Sequence, residues 1–174
     1  MKKYLLSFAF LLISSILLAQ PSSFVIGEKI KVTFPGPVDS NTNEMGAKLF
    51  RSSGKDTTLK YSALALDLAP MGLQAEMVSS MGDALWDQMK SGMLQQMGNV
   101  ELKKDEIVQF KGKSCLKMEL DISKVESKEI KGKSLYSISF FAGSVLHQLS
   151  VMVNTTENKQ KEVDEFFNSL VIEQ

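Results

Sequence analysis

The stretch from Met77 to Gly98, MVSSMGDALWDQMKSGMLQQMG, places methionine at 77, 81, 89, 93 and 97. Thioether sulfur is a soft ligand suited to Cu(I). It is equally a flexible apolar filler for cores and adaptable surfaces. Every spacing in the row is a multiple of four. On a helix each step of four advances about 40°, so the row wraps about 200° from first to last. Ligands for one ion must converge, and at most two or three neighbours share a side. Val78, Leu85 and Trp86 interleave with the methionines as core residues do. The row therefore reads as packing, with no metal site.

The remaining chemistry-bearing residues are few. His147 is the one histidine and Cys115 the one cysteine. Hydrolysis by a Ser–His or Cys–His pair needs a base that exchanges a proton near neutral pH. His147 falls on the side of its segment shared by Val145, Leu149, Val151 and Val153, which predicts a buried structural imidazole. Cys115 lies inside a predicted strand and, being alone, forms no intramolecular disulfide. One histidine and one cysteine fall short of the three or four ligands that zinc typically takes. The acid pairs Asp83/Asp87 and Asp164/Glu165 are of the type used by glycosidases, but both fall on predicted solvent faces of helices. No nucleophile elbow, phosphate-cradling glycine loop or dinucleotide fingerprint accompanies them. These residues point away from an enzyme and require no cofactor.

The N-terminal segment MKKYLLSFAFLLISSILLAQ carries two lysines, an apolar run and then Ala19. That pattern predicts a signal peptide over residues 1–19, since the run is shorter than the roughly 20 residues of a spanning helix. The expectation is an exported protein, periplasmic or extracellular. No cysteine lies near the cleavage point to take a lipid anchor. Removing residues 1–19 takes out Lys2 and Lys3 and no acid, leaving 18 basic against 20 acidic side chains, a net of −2. This balance offers no electrostatic footprint for nucleic acid or an anionic membrane. No later window reaches membrane-spanning length. Residues 20–174 suit a single domain with a core of its own.

The elements that must position these residues follow from periodicity. KIKVTFP alternates Ile30, Val32 and Phe34 against Lys29, Lys31 and Thr33, as a half-buried strand does. GPVDSNTNEMG reads as a turn-rich connection, followed by a strand from Ala47 to Arg51. TTLKYSALALDLA is apolar on both sides, with Leu64, Leu66 and Leu68 opposite Tyr61, Ala63 and Ala65, which predicts a central strand. In the methionine segment Val78, Leu85, Trp86, Met89 and Met93 fall within an arc of about 90–110°, flanked by Met81. A break near Ser79–Gly82 is expected from glycine, with Ser80 and Asp83 as a capping pair. VELKKDEIVQF and SCLKMELDI read as a hairpin turning at Lys111–Lys113. SLYSISFFAG and SVLHQLSVMVN read as another, turning at Ala142–Ser144. The second Lys-Gly-Lys, at 131–133, reads as the same turn chemistry recurring. Thr156 is the expected N-cap of a closing helix carrying Val163, Phe166, Phe167 and Leu170. The fold class is α+β, a mostly antiparallel sheet flanked by helices.

This order, with FPGP after the first strand, YSALALDLAP before the helix and the closing EFFNSLVI, resembles the PsbP-like domain family over Phe24 to Ile172. The family takes its name from an extrinsic photosynthetic subunit and includes bacterial envelope lipoproteins and Eag-type secretion chaperones. The resemblance implies an α/β/α sandwich that binds other proteins and has no shared catalytic residues, so it carries no functional residue onto this chain. The lipoprotein members' anchoring cysteine is missing here. The expectation is a non-catalytic binding or accessory protein with an unidentified protein partner in the envelope. The alternative is a carrier or holdase for apolar segments or lipid, using a groove lined by Met81, Trp86, Met89 and Met93.

Overall fold

The computed structural model describes residues 21–125 and 132–173; residues 1–19, read as an export signal, and the middle of the polar loop at 126–131 lie outside them. Strand β2 (Ile30–Phe34) buries Ile30, Val32 and Phe34 and turns Lys31 and Thr33 outward, as its alternation requires. It pairs with β1 (Ser22–Gly27) on one side and with the short β10 (Val171–Ile172) on the other, making a small three-stranded sheet. A larger sheet holds β3 (Val38–Thr42), β4 (Lys48–Ser53), β5 (Leu59–Asp67), β6 (Glu101–Phe110), β7 (Lys113–Asp121), β8 (Ser134–Ala142) and β9 (Val145–Val153). Its order is β3-β4-β5-β9-β8-β7-β6, with every neighbouring pair antiparallel.

The helices are α1 (Ala75–Met81), α2 (Asp83–Met97) and α3 (Gln160–Asn168). One face of the large sheet is covered by the small sheet together with α3. Their shared core joins Ile30, Val32 and Phe34 to Tyr61, Leu149 and Phe140 and to Val163, Phe166 and Phe167. Val163, Phe166 and Phe167 share one stripe of α3 by the i, i+3, i+4 rule. Phe166 packs its ring 5.3 Å from Phe34 and 5.1 Å from Tyr61, centroid to centroid. The Thr33 N–H donates to Ser169 Oγ at 3.1 Å, fastening the end of α3 to β2. The other face of the large sheet carries α2, with α1 leading into it. The fold is the expected mostly antiparallel α+β sandwich, with one outer layer that mixes a sheet and a helix.

Four local expectations are corrected. Val38–Thr42 forms a strand where a turn-rich connection was expected. It lies at the sheet edge with most of its residues exposed, so no apolar alternation marks it. The second Lys-Gly-Lys does not repeat the first. Lys111 and Gly112 have φ of 51° and 77°, the left-handed pair of a two-residue hairpin turn. Gly132 is not left-handed, and a Cβ there would stand 2.7 Å from Met152 Cγ and 2.9 Å from Ile122 Cδ1. Close packing explains that glycine. Thr156 does not cap α3, which begins four residues later, where Asn158 Oδ1 accepts from the Gln160 N–H at 2.9 Å. Ser80 and Asp83 form no capping pair either, because Ser80 Oγ donates to the Met77 carbonyl at 2.9 Å and α2 starts without a side-chain cap.

Candidate binding face

The register across the large sheet shows what underlies the methionines. On the helix-covered face, Leu49, Leu64, Gln148, Ser139, Leu116 and Ile107 stand opposite one another from β4 to β6. The next row on that face runs Arg51, Ser62, Ser150, Ser137, Met118 and Asp105. Its β7 end is apolar, and there α2 docks. Trp86 packs with Leu116 and Met118, with Met89, Met93 and Phe141 around them. The Trp86 and Phe141 ring centroids lie 5.3 Å apart. Lys90 donates to Asp105 Oδ2 at 2.6 Å and also meets Asp87, tying α2 to β6, and both partners hold its ammonium above the usual lysine range.

The middle of the same face is polar. Ser137 and Ser139 are buried and their hydroxyls have no hydrogen-bond partner. A buried hydroxyl left unpaired costs on the order of 1–3 kcal/mol. The opposite face has the same number of such atoms, Ser52 Oγ and His147 Nδ1. Toward β5 on the helix-covered face, Ser62, Leu64, Leu66, Gln148 and Ser150 are only half-buried.

The candidate residues separate accordingly. Trp86 is 5% exposed and belongs to the core, so it is not a wall of an open groove. Met89 and Met93 are half-buried against it. Met81 stands apart from them, because Gly82, at φ 53°, ends α1 and starts α2 on a new axis. The break is where glycine placed it, and the single arc drawn from Val78 to Met93 does not cross it. Helix α1 has no buried residue at all, and Met77 on it is 46% exposed. Met71, in the short 3-10 turn before it, is 55% exposed. Sequence periodicity missed Met71, since it lies outside any helical repeat.

The residues considered for catalysis are elsewhere and enclosed. His147 is buried on the opposite face, stacked on Phe140 with centroids 5.2 Å apart. A Cβ on Gly27 would lie 2.5 Å from His147 Cε1, so only glycine lets β1 pass over the ring. Burial lowers His147 to about 4. Cys115 is fully buried and its thiol is pushed up to about 11 by the same cause. Among the described residues no group of three or more His, Cys, Asp or Glu is placed to hold a metal ion. No helix among them is long and apolar enough to cross a membrane.

Two clefts open on the small-sheet side. One of about 620 Å³ is polar, bordered by Glu119, Asp121, Lys133, Tyr136 and Lys159. The Tyr136 hydroxyl donates to Glu119 at 3.4 Å, and burial ahead of the Glu119 charge raises its pKa, keeping the phenol protonated. Lys159 is shared between Asp56 and Glu157. The other, of about 430 Å³, lies over Pro35, Tyr61 and Phe166. Neither cleft contains His147 or Cys115.

No family model matches the sequence, and no curated protein does. Among solved structures the chain is similar to the solution structure of PsbP from the cyanobacterium Synechocystis sp. PCC 6803. The two share 11% identity with a TM-score of 0.51, over 89% of this chain and 94% of that one. It is also similar to a crystallographic structure from Bacteroides thetaiotaomicron VPI-5482, at 15% identity and a TM-score of 0.48, where the match covers 89% of this chain and 49% of that one. A protein of unknown function from Pseudomonas aeruginosa matches at 11% identity and a TM-score of 0.44, over 84% and 91% of the two chains. Likeness at such identities concerns backbone architecture, and a shared fold does not carry function with it. The sandwich built above from its own residues is a PsbP-like fold.

Proposed function

We propose that this is an exported, non-catalytic binding protein that engages a protein partner through the helical layer formed by α1, α2 and the turn before them. The observation that carries the reading is that α1 has no buried residue while Met77 and the preceding Met71 are largely exposed. Methionine gives such a surface flexible, polarisable contacts that fit apolar partners of varied shape. The enclosed His147 and Cys115 support a role without catalysis. The export signal read in residues 1–19 supports a site of action outside the cytoplasm.

A leucine-rich amphipathic peptide tests the reading, with Trp86, the only tryptophan, as the reporter. Saturable quenching or a spectral shift is expected, weakened at least about tenfold in a Met71→Gln/Met77→Gln variant whose melting is unchanged. Equal capture by that variant, or no saturable change with the native protein, overturns the proposal. A holdase for many apolar segments differs in one respect: scrambled peptides of the same composition would bind as well as the original.

A further inference from the structure

We infer that Met71 and Met77 are an oxidation site, through which a peroxide or hypohalous acid turns the helical layer from an apolar docking face into a polar one. The inference rests on the binding role proposed for that layer and adds its regulation. The chain has ten methionines and one cysteine. Cys115 is fully buried and its thiol is held protonated, so the usual thiolate target for oxidants is closed. A thioether has no proton to lose, and access of the oxidant governs its reaction.

Access differs sharply among the methionines. Met118 is buried, and Met89 and Met93 are packed around Trp86. Met71 and Met77 stand open on the layer. Met45 is 64% exposed but belongs to the turn between β3 and β4 and to neither α1 nor α2, which makes it an internal control. In the reaction the sulfur lone pair attacks one peroxide oxygen. An S–O bond forms as the O–O bond breaks, sulfur gives up two electrons, and the remaining oxygen leaves as water after proton transfer. The sulfoxide is strongly polar, and methionine sulfoxide reductases return it to the thioether. The apolar side chains of α1 are Ala75, Met77, Val78 and Met81. Oxidising Met77 therefore removes much of what an apolar partner can touch, while leaving the core intact.

The test is a hydrogen peroxide titration of the purified protein, with sites read by peptide mass mapping. Capture of the leucine-rich peptide and thermal melting are followed in parallel. Met45, Met71 and Met77 are expected to oxidise well before Met118. Capture should fall roughly tenfold in step with Met71 and Met77 while melting holds. A Met45→Leu variant should lose capture on oxidation as the native protein does, and a Met71→Leu/Met77→Leu variant should keep it. If the reduced protein captures the peptide and oxidation at both positions leaves capture unchanged, the inference falls alone. If the reduced protein captures nothing, the binding role falls first and takes the inference with it.

Discussion

Two adjacent sets of residues on the large sheet face opposite ways. Ala63, Leu149 and Ile138 stand opposite one another across β5, β9 and β8 and are fully buried beneath the small sheet and α3. One residue along each strand, Ser62, Ser150 and Ser137 make the matching row on the other face. The same backbone thus separates a continuous aliphatic and aromatic core from a floor of hydroxyls. Burial of large apolar side chains, worth about 1.5–3 kcal/mol each, is concentrated on the first face. On the second, Leu116, Met118 and Leu120 are buried along β7, Leu146 on β9, and Leu85 and Trp86 on α2, while Ser62, Leu64, Leu66, Gln148 and Ser150 toward β5 are only half-buried. The contrast teaches that the first face is sealed by large apolar side chains through β5, β9 and β8, and the second chiefly toward β8 and β7.

The largest effect is expected where the sealed face is broken. Phe166→Ala removes a ring packed against Phe34, Tyr61 and Phe167. It should lower unfolding stability by about 3–5 kcal/mol in a denaturant titration. A loss below about 1 kcal/mol would contradict the assignment of stability to this face.

Acid should strike the same face next. His147 is depressed to about 4 in the folded protein against 6.5 for the free side chain. Between these values the unfolded chain binds the proton and the folded chain does not. Stability should therefore fall as pH drops from about 6.5 toward about 4, by up to about 3 kcal/mol. Asp56, lowered to about 2 chiefly by hydrogen bonds from Thr58 and Lys159, acts in the same direction but in a lower window, below about 4. A His147→Leu variant should flatten the upper window only. Parallel pH profiles for the two proteins between 6.5 and 4 would remove His147 from the account.

The smallest effect sharpens the comparison from the other side. Met77→Gln, on a helix with no buried residue, should change stability by no more than about 0.5 kcal/mol. A loss comparable to that of Phe166→Ala would mean that the helical layer is part of the stabilising core.

Much of the fold was legible before any coordinates. The alternation in β2 and β9 and the spacing of Val163, Phe166 and Phe167 placed the core residues on the correct sides, because side-chain direction repeats every two residues in strands and every 3.6 in helices. The burial of His147 followed from the same counting, whereas Cys115 shares its side of β7 with Lys117 and Glu119 and its burial did not. Edge strand β3 did not, since a strand paired on one side and exposed on most of its residues needs no apolar repeat. The start of α3 was misplaced because threonine at 155 and 156 and asparagine at 158 all have the chemistry of a turn or cap, and only the chain path selects among them. Around the candidate site, the sequence identified a methionine-rich amphipathic segment and a glycine break.

The sequence by itself determined which side chains share a face, and that Met81, Trp86, Met89 and Met93 lie in one helical region. Only the tertiary structure decided how far each is covered. It enclosed Trp86 against Leu116 and Met118, set Met81 beyond the bend at Gly82, and left Met71 and Met77 open. The reason is physical: direction along an element is a local property of the backbone, whereas coverage depends on where a separate layer comes to rest.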